Sequence, residues 1–205
     1  MLNTEMLARL RTAIDEASAG FWSDAECYSA LTDGQLEAFK ILYSTNPKDK
    51  RLQVLMKDDS ATIADNYISI PVDMWENFIV TAEWAKISGD DVVYCDILSY
   101  DKDLQYLKSN SYKSPVSSRP IAYIKSSTAL GNRIYFEPSG TSSDYVITYL
   151  TVPTAISASV EPQITPSLHP AIIVYALSFI LRKAKLNERA DAEFKNFIGM
   201  VKNAG

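Results

Sequence analysis

Hydrophobic residues recur at steps of three and four near both ends of this chain and alternate with polar ones between, a pattern that predicts helix, sheet, helix. Leu2, Met6, Leu7, Leu10, Ala13, Ile14 and Ala17 share one face of an amphipathic helix over residues 2–19, with Gly20 as its stop. A second helix is announced by a capping box. The Ser23 hydroxyl is spaced to accept from the Glu26 amide, while the Glu26 carboxylate reaches back to the Ser23 amide. Phe21 or Trp22, ahead of the cap, is placed to staple the first turn, and Tyr28, Leu31, Phe39 and Leu42 continue one face. Thr32-Asp33-Gly34 marks a bend or a division, because glycine costs about 1 kcal/mol inside a helix. Asn46-Pro47 ends it.

From residue 52 the period changes. Tyr67-Ile68-Ser69-Ile70 alternates until Pro71, and residues 78–86 and 92–97 alternate around Ser88-Gly89-Asp90-Asp91, predicting a hairpin. A short helix is expected over 101–110. Strands follow over 121–125, 133–137 and 145–151, with Gly131-Asn132 and Ser139-Gly140 as turns. A polar, proline-bearing link over 153–166 leads to Pro170, well placed as the first residue of a helix. Its buried face is Ile172, Ile173, Ala176, Phe179 and Ile180; after Asn187 the spacing repeats in Ala190, Phe194, Phe197, Ile198 and Val201. The expected class is α+β: a bundle of two N-terminal and one or two C-terminal helices with an inserted antiparallel β region. Its segments are 1–46, 47–167 and 168–205, the outer two packing as one core.

Composition narrows the function. An apolar fraction of 47% over 205 residues suffices for a sizeable core, and a net charge of −5 argues against a dedicated nucleic-acid-binding domain. The charge is uneven: from residue 168 onward six cations face three carboxylates, so that segment carries +3 and the rest −8. A basic end on an acidic body suits docking onto an acidic partner. Cys27 and Cys95 read as small buried apolar groups rather than a disulfide. No signal-peptide pattern opens the chain, and the longest apolar run, 171–181, is too short to cross a bilayer.

Candidate chemistry is sparse. Asp101-Lys102-Asp103-Leu104-Gln105 begins like a calcium loop, but Tyr106 stands where glycine is needed and Tyr112 where a bidentate glutamate is needed. Ser99-Tyr100-Asp101-Lys102 fits S-x-x-K without its companion elements. Nucleophile elbow, dinucleotide glycine motif and Walker loop are all missing. His169, the only imidazole, precedes Pro170 at a helix entrance and reads as a capping or packing residue. Asp58-Asp59 and Asp90-Asp91 read as solvated loops. The expectation is no catalytic residue, no cofactor and no metal. Twelve tyrosines, many in the strand-rich region, favour a subunit that contacts neighbours.

Three segments, in order, resemble the head-to-tail adaptor (connector) proteins of tailed bacteriophages. Phe21-Trp22-Ser23-Asp24-Ala25-Glu26-Cys27-Tyr28 enters a helix like that family's early one. Arg119-Pro120-Ile121-Ala122-Tyr123, Arg133-Ile134-Tyr135-Phe136-Glu137-Pro138, and residues 145–152 with Pro153 follow its order of strands and prolines. Leu168-His169-Pro170-Ala171-Ile172-Ile173-Val174-Tyr175-Ala176, running on to 190–197, is similar to its closing helices. The resemblance implies a structural virion protein of the neck, assembled in the host cytoplasm. It would form a ring, usually dodecameric, between the portal and the tail or next neck-ring protein. Genomic DNA would pass without sequence-specific binding, and no membrane is involved. Arg182, Lys183, Lys185, Arg189, Phe194, Lys195, Phe197 and Lys202 are the candidate partner-binding residues. The alternatives are another neck, tail-completion or minor capsid protein, or a non-enzymatic ligand-binding module.

Overall fold

The computed structural model describes residues 1–15, 21–63, 66–85, 92–98, 107–109, 113–127, 131–138 and 143–204. The chain is α+β. It forms two compact units, one of Met1–Leu55 with Val152–Gly205 and one of Met56–Thr151.

In the helical unit, α1 (Asn3–Ala13) stops earlier than its periodicity implies. The Ile14 amide still donates to the Leu10 carbonyl, but Asp15 turns left-handed at φ 61°, the conformation that closes many helices. Gly20, the expected stop, lies outside the described residues. Arg11 is buried on α1, and its guanidinium donates to Asp24 and to the Trp22 carbonyl, fixing the entry to the next helix. That helix, α2 (Asp24–Thr45), opens with both arms of the capping box. The Glu26 amide donates to Ser23 Oγ at 3.3 Å and the Ser23 amide to Glu26 Oε2 at 3.1 Å. Phe21 does not staple it; the ring is 81% exposed.

α2 runs through Gly34 as one undivided helix. A Cβ there would stand 2.9 Å from the Ile172 carbonyl oxygen and 3.1 Å from Tyr175 Cδ1. Both belong to α3 (His169–Lys183), so the glycine lets two backbones approach, which outweighs its poor helix propensity. Pro170 occupies the first turn of α3, where its missing amide has no helical partner to lose. α4 (Asn187–Asn203) packs back on α3. The polar link over 153–166 is strapped to α2. Buried Gln35 donates to the Thr154 carbonyl at 2.9 Å and accepts from the Gln163 amide at 2.7 Å, while Thr32 Oγ1 accepts from the Ile156 amide.

The second unit holds two four-stranded sheets. One has the order β1 (Met56–Ile63), β8 (Ser143–Thr151), β3 (Met74–Ala85), β4 (Val92–Tyr94), all antiparallel. The other has β2 (Tyr67–Ser69), β7 (Gly131–Glu137), β6 (Ile121–Ser127), β5 (Asp96–Leu98), with β5 parallel to β6. The β region is therefore mixed rather than purely antiparallel. The predicted hairpin exists as β3–β4, but its second strand breaks at buried Cys95 and continues in the other sheet. Gly131-Asn132 opens β7 and pairs with Ser127 and Ser126 instead of forming a turn. Asp58-Asp59 is strand, not loop: Asp58 accepts from Thr148 Oγ1 across the β1–β8 pair. Alternation buries Ile134 and Phe136 of β7 against Tyr145, Ile147 and Tyr149 of β8, with Phe136 and Tyr145 centroids 3.9 Å apart. The calcium-like stretch 101–106, Tyr112, and the turns at 88–91 and 139–140 lie outside the described residues, as does most of the predicted helix 101–110.

Candidate interface at the C-terminal helices

The turn between α3 and α4 is a Schellman motif. The Lys185 amide donates to the Arg182 carbonyl at 3.0 Å and the Leu186 amide to the Leu181 carbonyl at 2.9 Å, with Lys185 left-handed at φ 63°. Residues 182–189 are all exposed, so Arg182, Lys183, Lys185 and Arg189 share one tip, with Glu188 among them and Asp191 just beyond. Arg182 Nη2 donates to Asp191 Oδ1 at 2.8 Å, but both side chains are more than half exposed and the pair contributes little. Lys183 is steered by aromatic faces: its Nζ lies 4.9 Å from the Phe179 centroid and 5.8 Å from that of Trp22.

The remaining candidates do not join that tip. Lys195 is exposed midway along α4, and Lys202 in its last turn lies about 20 Å from Arg189 at the helical rise. Phe194 is half-buried, its centroid 6.1 Å from that of Tyr175. Phe197 is fully buried, edge-on to Tyr175 at 5.1 Å. It shares the helical repeat of its exposed neighbours but sits on the face turned to α3. The tyrosines follow the same logic. Tyr28, Tyr123, Tyr145 and Tyr149 are buried within their own units, and Tyr94 is the one exposed tyrosine among the described residues. Their abundance serves the core first.

Sequence reasoning missed Arg51. Its Nη1 donates to the Val201 and Ala204 carbonyls at 2.8 and 2.6 Å, closing the C-terminal end of α4, while Asp49 holds Nε and Nη2. The hydrogen-bonded pair holds Asp49 below, and Arg51 above, its ordinary pKa. No local pattern announces a cap supplied from so far away in sequence.

His169 is buried, and its Nε2 hydrogen-bonds the Ile164 carbonyl at 3.1 Å. A carbonyl only accepts, so the proton sits on Nε2; burial lowers the pKa of the ring. It packs the helix entrance. Cys27 and Cys95 are buried and not joined in a disulfide, and burial, with Asp96 and Glu83 nearby, pushes the Cys95 thiol up to about 12. Among the described residues no three His, Cys, Asp or Glu side chains cluster to hold a metal ion, and no helix is long and apolar enough to cross a membrane.

What the described residues offer is surface: a basic tip, exposed apolar side chains and tightly closed helices. Among curated proteins none matches the chain. A family model described as SU10 adaptor protein matches residues 3–204, nearly the whole length, in keeping with the phage-adaptor resemblance of its motifs. The chain belongs to the SU10 adaptor protein family.

Proposed function

We propose that the chain is a head-to-tail adaptor whose copies assemble into a ring, dodecameric as such rings usually are, on the portal of a phage head. The ring extends the DNA channel and receives the tail or the next neck ring. The family match across residues 3–204 carries this reading. The mechanism is assembly rather than bond chemistry. Arg182, Lys185 and Arg189, exposed on the α3–α4 tip, are the candidate portal contacts. Repetition around a ring multiplies a weak exposed charge contact into firm attachment, because each further contact becomes intramolecular.

The expected solution behaviour is a largely monomeric protein alone and a ring when portal is present, read by multi-angle light scattering. A stable small dimer indifferent to portal would overturn the proposal. The triple variant Arg182→Glu, Lys185→Glu, Arg189→Glu is expected to abolish capture by portal, and rising salt to weaken capture of the natural chain.

A further inference from the structure

A pocket opens in the β unit beside a break in the β3 ladder. Met74 pairs with Thr151 but Ile79 with Tyr149, so residues 75–78 stand opposite Leu150 alone. This is a β-bulge, and it holds two consecutive left-handed residues, Glu76 at φ 43° and Asn77 at φ 59°. Asparagine tolerates that conformation, but a glutamate in it is strained. Such strain persists only where the surrounding structure imposes it, and it gathers at ligand sites.

The bulge borders a cavity of about 380 Å³ between β3 of the first sheet and β5 and β6 of the second, room for a long side chain. Buried Ile79 is its floor; Phe78, Leu98 and Ile124, half-buried, and Ile97, 40% exposed, are its walls. Glu76 and Asn77, both exposed, are the polar groups of the lining. Among the described residues no ion pair or hydrogen bond engages either side chain. Asp73 and Glu137 of the same unit, by contrast, are taken by Lys57 and Lys108.

This lining sets the chemistry of an occupant. Apolar walls suit a hydrocarbon stem, and an unpaired carboxylate at the mouth suits a cationic head over a neutral or acidic one. The Phe78 ring and a second acceptor, Asn77 Oδ1, favour a guanidinium over an ammonium. A guanidinium is planar, stacks on aromatic faces and donates in a fork, whereas an ammonium is a compact, strongly hydrated point charge. We propose that this pocket receives an arginine side chain of a partner protein, its stem along Ile97 and Ile124 and its guanidinium between Phe78 and the Glu76 carboxylate. The bulge sets Glu76 at the mouth before the partner arrives, which spares ordering on binding. The site belongs to the β unit, and portal capture by the α3–α4 tip does not depend on it.

N-acetyl-arginine methylamide, titrated into the full chain with labelled isoleucine and leucine methyl groups, tests it by NMR. Saturable shifts are expected at Ile79, Ile97, Leu98 and Ile124. The blocked citrulline analogue keeps the shape without the charge and is expected to bind about fivefold more weakly, the upper end for an exposed ion pair. Blocked lysine is also expected to bind more weakly than arginine. In Glu76→Gln the preference for arginine over citrulline is expected to vanish while the melting temperature stays unchanged. No saturable shift, or equal binding of arginine and citrulline by the natural chain, would overturn the proposal. A preference that survives Glu76→Gln would overturn the role of Glu76, and lysine binding as tightly as arginine would overturn the choice of side chain.

Discussion

The two units of this protein are closed in different ways. In the helical unit, polar side chains reach across long stretches of chain: Gln35 to the 154–163 strap, Arg51 to the end of α4, Arg11 to the start of α2. In the β unit the interior is apolar and aromatic, with Phe136, Tyr145, Ile147 and Tyr149 facing one another between sheets. Directional hydrogen bonds fix how helices enter and leave one another, whereas interdigitated rings fill space and leave direction to the strand ladder. The difference sets what each unit tolerates. The sharpest break is expected from Phe136→Ala, which removes a fully buried ring from the sheet interface and costs about 4 kcal/mol, measured by urea denaturation. A loss below about 1 kcal/mol would mean that the two sheets do not depend on that contact.

Gln35→Ala probes the opposite style. It strands the Thr154 carbonyl and the Gln163 amide at once, and at about 1–3 kcal/mol for each stranded group the expected loss is about 3 kcal/mol. Gln35→Glu separates the two bonds, since a carboxylate still accepts from Gln163 but no longer donates to Thr154. Because that carboxylate is buried and sets an oxygen against the Thr154 carbonyl, Gln35→Glu is expected to be at least as destabilised as Gln35→Ala at neutral pH, again by urea denaturation.

Glycine gives a cleaner contrast within the helices. At Gly34 an added methyl must move the Ile172 carbonyl or Tyr175, so Gly34→Ala is expected to cost about 2 kcal/mol. At Gly199 nothing lies within 4 Å, so Gly199→Ala is expected to gain about 1 kcal/mol from helix propensity alone. Equal effects at both sites, in parallel melts, would remove the close approach of α2 and α3 as the reason for Gly34.

These cases show what was legible in the sequence. The capping box, the alternation of β6 to β8 and the placement of Pro170 rest on spacings of two to four residues, and they are where the pattern put them. Gly34 was misread because its reason lies in α3, far away in sequence. β1 was missed because an edge strand carrying Lys57-Asp58-Asp59 pairs on one side only and need not alternate like a buried strand. The break at Cys95 was invisible because both halves of residues 92–97 are good strand; only the choice of sheet divides them. At the candidate interface, sequence identified the basic segment but could not separate exposed Arg189 from Lys202 at the far end of α4, nor either from buried Phe197.

His169 links the helical unit to pH. Its pKa in the folded chain lies below the ordinary value near 6.5, chiefly through burial. The unfolded chain therefore takes up a proton first as pH falls, so stability is full above about 6.5 and declines below it, until the folded ring also titrates. Carboxylates add their own slope at lower pH. The informative quantity is therefore the difference between the natural chain and His169→Gln, which is expected to flatten the decline between pH 7 and 5.5. Identical slopes would show that the buried imidazole does not govern it.

The smallest expected effect is at Lys185, and its sign is the point. A left-handed lysine costs about 1–2 kcal/mol of backbone strain, and glycine removes it. Glycine also loses more entropy on folding, which returns about 0.5–1 kcal/mol. The balance favours Lys185→Gly by about 0.5 kcal/mol. The same change deletes one exposed cation from the α3–α4 tip, so portal capture is expected to weaken slightly while the melting temperature rises slightly. Lys185→Asn, another residue that tolerates the left-handed region, separates the two effects: it removes the charge as glycine does but without glycine's entropy. Weakened capture by both variants, with both at least as stable as the natural chain, would tie the loss to charge on the turn rather than to its shape.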